Sequence, residues 1–361
     1  MPIDFSKSRW EKIQEDSRRW WAGELKRPLI QVRLSGADPG RPEPKLPAQP
    51  QMSFYEMSVP AADIVDLADY DLSGTRYLGD AFPVTWANFG PGVIAAFLGA
   101  RVETETDTTW FSPVEEREIA DLRFEYDSDN VWLKRVKDVT RAAVERWDGQ
   151  AMVSMTDLGG NLDILSSFRP GEKLLLDLCD HPEDVKKRTW EAHEMWWRYF
   201  EEINEIIQPA NPGYTAWAPI FSTEPYYMLQ CDFCYMIGPD MFDEFVKPEL
   251  QATCKRLENA FYHLDGPGQL PHLDSLLRIP ELKGIQWVPG AGAPDEEHWP
   301  EVYRKIRDAG KLIQLFGGIP SLDAVAGQLG SAEGIVTMAG GSWDDSTRDE
   351  IEEVLKRYGA I

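Results

Sequence analysis

The second half of the chain alternates between short apolar segments and longer stretches with helical periodicity. Segments typical of strands cover residues 260–266, 284–288, 311–316 and 334–338, and amphipathic segments separate them. This alternation favours parallel βαβ units. Because no glycine-rich dinucleotide-binding motif opens the chain, a barrel is favoured over a doubly wound sheet. The 361 residues exceed the roughly 250 that such a barrel needs, so we predict one (β/α)8 TIM-type barrel domain over residues 1–361.

The first half of the chain predicts two additions to this barrel. Residues 7–26 carry tryptophans at helical spacing and predict an N-terminal helical extension, which the predicted strand 27–34 follows. The segment from Pro39 to Pro50 contains five prolines, which fix φ and remove backbone donors, so we expect a loop there. Further helices are predicted over 131–147 and 182–208.

Composition excludes several classes of partner. The formal net charge of -24 argues against binding to nucleic acid or to an anionic membrane surface, since both require clustered lysine and arginine. No segment approaches about 18 uninterrupted apolar residues, and the first residues lack the basic and apolar regions of a signal peptide. We therefore expect a cytoplasmic protein. Its four cysteines are too few for a disulfide framework and would serve as core thiols, metal ligands or nucleophiles.

Polar side chains follow several predicted strands, at the end where barrels place their chemistry. His263 is typical of a metal ligand or a general base, with a core histidine as the alternative. Asp265 precedes Gly266, so it is equally typical of a turn. Asp232 lies at another strand end, where helix capping is the alternative. We predict His263, Asp265 and Asp232 as the catalytic residues.

Aromatic and polar residues near other strand ends predict a substrate pocket. An aromatic wall would hold a small molecule, and core packing is the alternative for each ring taken alone. The polar members lie beside glycines, where turn formation is the alternative. The predicted strand 214–217 contributes one of the rings. The predicted substrate-binding residues are Trp86, Asn88, Asp157, Trp217, Tyr226 and Trp287.

The segment Tyr262–Pro267, with residues 273–277 and 284–290 after it, resembles the corresponding region of uroporphyrinogen-decarboxylase-fold proteins. In that family one strand ends in Asp-Gly, and the next ends in an acidic or amide residue before Trp. The run 229–234 and the Phe-x-x-Phe helix that follows it are similar to the same family. This resemblance extends from about Leu174 to the C-terminus and implies a barrel fold.

True uroporphyrinogen decarboxylases carry an arginine-rich N-terminal segment that binds the many carboxylates of the substrate. The comparable strand here, residues 28–36, contains one arginine. A porphyrin polyacid requires several guanidinium groups for bidentate binding. The sequence therefore does not favour porphyrinogen decarboxylation.

The other large branch of the fold, the corrinoid-linked methyltransferases, holds zinc with a His-x-Cys pair and a later Cys. Here the pair reads His263-x-Asp265, and the late strand has no cysteine, whereas Cys231 and Cys234 lie at another strand end. Zinc accepts carboxylate oxygen as well as sulfur, so His263, Cys231 and Asp265 form the predicted ligand set. The resemblance implies transfer of a methyl group between a small, aromatic or otherwise neutral substrate and cobalamin on a partner protein, and related sites of this branch handle methoxylated compounds, methoxylated aromatics among them, or methylamine-type compounds.

Two other functions stay open on the sequence. The first is a metal-free decarboxylase or lyase in which Asp232 or Asp265 protonates a carbanion-like centre. The second is a barrel that binds a small molecule without turnover. The sequence also leaves open assembly into a homo-oligomer.

Overall fold

The computed structural model describes residues 3–361. Strands and helices alternate along most of this part of the chain. The strands are β1 (Leu29–Ser35), β2 (Thr75–Gly79), β3 (Val84–Trp86), β4 (Arg101–Glu105), β5 (Thr108–Ser112), β6 (Met152–Ser154), β7 (Tyr226–Leu229), β8 (Asn259–Asp265), β9 (Leu282–Val288), β10 (Leu312–Leu315) and β11 (Ile335–Ser342). The helices are α1 (Lys7–Trp21), α2 (Ala61–Ser73), α3 (Ile94–Phe97), α4 (Val131–Trp147), α5 (Asn161–Phe168), α6 (Glu172–Asp180), α7 (Pro182–Ile207), α8 (Pro239–Phe245), α9 (Lys247–Arg256), α10 (Leu273–Leu277), α11 (Pro300–Asp308), α12 (Gly318–Leu329) and α13 (Asp345–Arg357).

The main sheet has the strand order β2-β1-β11-β10-β9-β8-β7. Its strands from β7 to β1 run parallel, and β2 is antiparallel to β1 at the edge. A separate parallel pair joins β3 and β6, and an antiparallel hairpin joins β4 and β5. The architecture is mixed α/β around a parallel sheet. Within residues 3–361 the ladders form separate sheets rather than one continuous ring, so the closed eight-stranded barrel stays a prediction.

The N-terminal helix α1 packs against strands β7 and β8 of the main sheet. The Ser6 side chain caps α1 by accepting a hydrogen bond from the backbone of Arg9. The indole of Trp20 is 1% exposed and stacks on Phe261, with ring centroids 6.1 Å apart. Trp21 donates through Nε1 to a backbone carbonyl at 2.9 Å. Burial of these indoles holds α1 against the start of β8.

Several sequence predictions match the observed elements. Helix α4 has the predicted bounds, α7 ends one residue early, and the proline-rich loop contains neither helix nor strand over residues 39–50. Pro248 lies in the first turn of α9, where its missing N–H is tolerated, and the preceding helix α8 ends at Phe245. The predicted strand 214–217 is wrong: only an isolated bridge forms there, between Tyr214 and Ser222.

The hairpin of β4 and β5 was not predicted. Most of β4 is exposed and its sequence, Arg-Val-Glu-Thr-Glu, has no apolar face to reveal a strand. The two strands pair with each other, and Val102 on β4 and Phe111 on β5 pack against the hydrophobic core. A further result concerns membranes: within the described chain no helix is both long enough and apolar enough to cross a bilayer.

Candidate metal and substrate site

Three potential metal ligands meet at the carboxyl ends of β7 and β8. His263 and Asp265 are two residues apart in β8, so their side chains lie on one face of the strand. Asp232 follows β7, the neighbouring parallel strand, whose end reaches the same edge of the sheet. One ligand atom from each of the three lies within 4.8 Å of the others. The structure therefore brings the three predicted catalytic residues together.

A series of buried amides orients the imidazole of His263. Its Nδ1 is hydrogen-bonded to Oε1 of Gln286, and Nε2 of Gln286 donates to Oε1 of Gln314 at 2.7 Å. Both glutamines are fully buried. Gln286 lies opposite His263 in the β8–β9 ladder and opposite Gln314 in the β9–β10 ladder. Because an amide oxygen accepts only, Nδ1 carries the proton and Nε2 keeps its lone pair. Burial also lowers the pKa of His263, which favours the neutral ring that metals bind.

The indole of Trp217 contacts the imidazole of His263. The two rings meet edge to face, with centroids 5.2 Å apart, and the indole nitrogen donates to the carbonyl of Met228 at 3.3 Å. Trp217, one of the predicted substrate-binding residues, therefore lies beside the metal-ligand group, and its role in binding substrate stays a prediction. Its position restricts rotation of the His263 ring.

Asp163, at the start of α5, supports the loop that carries Asp232. Its carboxylate accepts the backbone N–H groups of Phe233 at 2.8 Å and of Asp232 at 3.1 Å. Burial and the nearby Asp232 raise the pKa of Asp163 to about 7, although the two donors favour its charged form. Desolvation, together with Asp265 and Asp157, raises the pKa of Asp232 to about 6. Both carboxylates can therefore exchange protons near neutral pH.

Asp157 lies behind these carboxylates at the end of β6. It accepts the backbone N–H of Gly159 at 2.9 Å and a longer bond, 3.4 Å, from the amide of Gln230. Burial raises its pKa to about 7. Gly159 has a φ of 76° and faces Gly92 so closely that a Cβ would lie 2.6 Å from the Gly92 Cα. Only glycine permits this contact between the two loops.

A cavity of about 730 Å³ adjoins the site. Asp232, Asp163 and Gln230 line it, and its remaining wall is mainly apolar. The volume is typical of sites for small organic ligands. Asp232 belongs both to this wall and to the metal-ligand group, whereas the residues that line the cavity do not include His263 and Asp265, so the cavity adjoins the group at Asp232. The apolar and aromatic wall consists of Pro91, Trp110, Phe111, Pro170, Leu175, Phe233 and Met236.

Several predicted residues lie elsewhere. Cys231 is fully buried outside the three-residue ligand group, and burial raises the pKa of its thiol well above that of free cysteine. Trp287 points away from the site, because Gln286 beside it occupies the inner face and strand side chains alternate. Its ring packs against Trp299, with centroids 5.2 Å apart.

Three further predicted residues have structural contacts. The hydroxyl of Tyr226 donates to the carbonyl of Ala218 at 3.0 Å, and its ring packs on helix α1. The side chain of Asn88 accepts the N–H of Gly90 at 3.2 Å, which is the turn alternative. Trp86 borders a small void between β3 and α4, and the residues that line the large cavity do not include it.

The sequence reasoning missed Asp163, Gln230, Gln286 and Gln314. A signal for the last two was present, since each glutamine interrupts an otherwise apolar strand. A buried amide requires hydrogen-bonding partners, so its presence in such a strand indicates a polar contact inside the sheet. Asp163 offered no comparable signal, because an acidic residue in the first turn of a helix is common.

The chain has the fold of a methyltransferase from Methanosarcina mazei. The two structures agree with a TM-score of 0.60 over 94% of this chain and 99% of the other, at 13% sequence identity. No known family profile matches the sequence, and no curated protein does. At this identity the likeness concerns the fold, and activity has to be argued from the site.

Proposed function

We propose that this protein is a metal-assisted methyltransferase with a closed (β/α)8 barrel. It would move a methyl group from a small methylated substrate to a corrinoid carried by a separate partner protein. The group formed by Asp232, His263 and Asp265 beside the large cavity carries this proposal. The shared fold with a methyltransferase adds support.

The donor set suits a zinc ion. One imidazole nitrogen and two carboxylate oxygens are accepted zinc ligands, and three protein ligands leave a position for substrate, as in catalytic zinc sites. The hydrogen bond from His263 to Gln286 is the outer support that metal-binding histidines usually have. The sulfur-rich set implied by the family resemblance is not assembled, because Asp265 replaces one cysteine and Cys231 lies outside the group. Bound zinc would act as a Lewis acid on the substrate heteroatom.

The protein's own residues have separate tasks in this reaction. His263 through Nε2, with Asp232 and Asp265, would hold the metal. The apolar and aromatic residues that line the large cavity would orient the substrate and exclude water. As the methyl group leaves for a nucleophilic acceptor on the corrinoid protein, the electron pair of the broken bond stays on the substrate heteroatom. Asp163, with a pKa of about 7, can hold the proton that a neutral leaving group requires.

Metal analysis tests this function most directly. We expect close to one zinc per chain after reconstitution and its loss in His263→Ala. His298→Ala, an exposed histidine in another loop, is the matched control and should keep the metal. Methyl transfer from a panel of methylated compounds to a free corrinoid should require the metal. Wild-type protein that binds no metal would exclude the proposal.

A metal-free decarboxylase or lyase is the second candidate. The raised pKa of Asp232 favours it, because a carboxyl group that titrates at about 6 can protonate a carbanion-like centre at neutral pH. Release of carbon dioxide or of another product by protein treated with a chelator would support this alternative. Activity that disappears on chelation and returns with zinc would exclude it.

A further inference from the structure

The large cavity is lined by side chains that can accept hydrogen bonds and by few that can donate them. Among the described residues that line it there is no lysine, arginine, histidine or asparagine. What a ligand meets there therefore depends on whether the remaining polar hydrogens already have acceptors. The uncharged lining residues that carry a polar side-chain atom are Thr109, Trp110, Ser166, Ser167 and Gln230.

The three lining hydroxyl groups already donate their hydrogens inside the protein. On α5, Ser166 donates to the carbonyl of Asp163 at 2.8 Å, and Ser167 donates to the same carbonyl at 3.1 Å. The hydroxyl of Thr109, which is 1% exposed, donates to Oε1 of Gln51. A hydroxyl oxygen whose hydrogen is engaged can still accept a hydrogen bond. Both serines are half-buried, so their oxygens can accept one from a ligand.

The amide of Gln230 has the same bias toward accepting. Gln230 directly follows β7 and is 5% exposed, and its Nε2 donates to Oδ1 of Asp157 at 3.4 Å. Asp157 is itself held by the backbone N–H groups of Gly159 and Gly92. Because Nε2 faces Asp157, the oxygen Oε1 is the end of the amide left for a ligand. This oxygen has no hydrogen-bond partner within residues 3–361 and is not enclosed by protein.

Trp110 is the exception among these polar side chains, because its indole N–H has no partner in the described part of the chain. It is 59% exposed, so water can satisfy that donor. The more buried part of the wall thus offers acceptor oxygens set in apolar surface, and the rings of Phe111 and Phe233 there suit a flat ring. Such a wall complements a ligand that has an apolar body and donates hydrogen bonds.

We propose that this cavity binds a neutral ring compound with free hydroxyl groups, and that Gln230, Ser166 and Ser167 select it by accepting the hydroxyl hydrogens. An analogue without hydroxyl groups would leave these oxygens desolvated and unpaired, which disfavours its binding. The use of such a compound as a methyl donor rests on the proposed function. Its binding does not, since none of the three residues belongs to the metal-ligand group.

Three probes of nearly equal size test this selection. Resorcinol carries two hydroxyl groups on a benzene ring, 3-fluorophenol has one of them replaced by fluorine, and 1,3-difluorobenzene has both replaced. Each compound would be titrated calorimetrically into the metal-free protein at pH 7. We expect resorcinol to bind about tenfold or more tightly than difluorobenzene, with fluorophenol between them. Burial of apolar surface alone would favour the difluoro compound, so the two effects predict opposite orders.

Variants test whether the acceptor oxygens are the cause. Gln230→Leu should weaken resorcinol binding by about fivefold or more and leave difluorobenzene binding unchanged or tighter. The double variant Ser166→Ala with Ser167→Ala should weaken resorcinol by about threefold or more, and alanine is compatible with α5. Gln14→Leu on α1 and Ser346→Ala on α13 lie outside the cavity lining. They are the matched controls and should leave all three dissociation constants unchanged.

The outcomes separate this proposal from the proposed function. Difluorobenzene that binds as tightly as resorcinol would overturn it, as would the absence of measurable binding for all three probes. Resorcinol binding that neither Gln230→Leu nor the double serine variant weakens would overturn it as well. A stepwise gain in affinity with each hydroxyl group that Gln230→Leu reduces would support it, even in protein that binds no metal. Failure of metal binding or of methyl transfer alone would count against the proposed function only.

Discussion

The imidazole of His263 donates its Nδ1 hydrogen to Oε1 of Gln286, which lies opposite it in the β8–β9 ladder. Gln286 in turn donates to Gln314 on β10 at 2.7 Å. These two contacts fix which amide atom faces the imidazole, and therefore which ring nitrogen carries the proton. A polar connection inside the sheet thus leaves Nε2 of His263 available to a metal.

Replacement of Gln286 by leucine should lower metal affinity by about 10- to 100-fold, because the ring loses the acceptor that orients it. Competition with a chelator would measure the change. Gln31→Leu is the matched control, since Gln31 is 2% exposed on β1 and lies outside this hydrogen-bonded series. Unchanged metal affinity in Gln286→Leu would contradict the orienting role.

Cobalt substitution should distinguish oxygen from sulfur ligation. We expect the cobalt form of the wild-type protein to lack sulfur-to-metal charge-transfer absorption, because Cys231 lies outside the ligand group. Asp265→Cys should introduce that absorption, since it restores the His-x-Cys pair, and thiolate is a good ligand of such metals. A charge-transfer band in the wild-type protein that disappears in Cys231→Ala would show that Cys231 is a ligand after all.

Metal affinity should rise with pH between about 5 and 7. Asp232 has a pKa of about 6 and must lose its proton to bind, whereas the lowered pKa of His263 keeps that ring neutral over most of the range. We expect the association constant to rise by up to about tenfold per pH unit below 6 and to level off above 7. Titrations in buffered metal would measure it, and Asp232→Asn should flatten the profile. A wild-type profile that is flat from pH 5 to 7 would be inconsistent with Asp232 as a ligand.

Asp157 should make the protein less stable as pH rises. Its pKa is about 7 when folded and near 3.8 when unfolded, so the folded state binds more protons between these values. The stability cost grows from pH 4 to 7 and is complete above 7. Asp157→Asn keeps the acceptor oxygen. Compared with the wild type, this variant should gain about 1 to 3 kcal/mol more in free energy of unfolding at pH 8 than at pH 5.

Urea denaturation of both proteins at pH 5 and pH 8 would measure this difference. Asp180→Asn, an exposed aspartate at the end of α6, is the control and should show the pH dependence of the wild type. A similar change in both variants would show that burial of Asp157 is not the cause.

Local patterns in the sequence predict much of the fold. The periodicity of α4 gives both its ends, and the proline-rich loop follows from residues that cannot continue a ladder or a helix. Exposed strands such as β4 escape detection, because one apolar residue, Val102, is too short a pattern to predict a strand.

The residues of the candidate site were likewise predicted only in part from the sequence. The sequence by itself determined that His263 and Asp265 share a face, because side chains two apart in a strand point the same way. Only the tertiary structure decided that Asp232 joins them and Cys231 does not. Cys231 has extended backbone, so adjacent side chains diverge, and the packing of β7 against β8 selects which one faces His263. Such a choice depends on contacts between residues far apart in the chain, which no local pattern encodes.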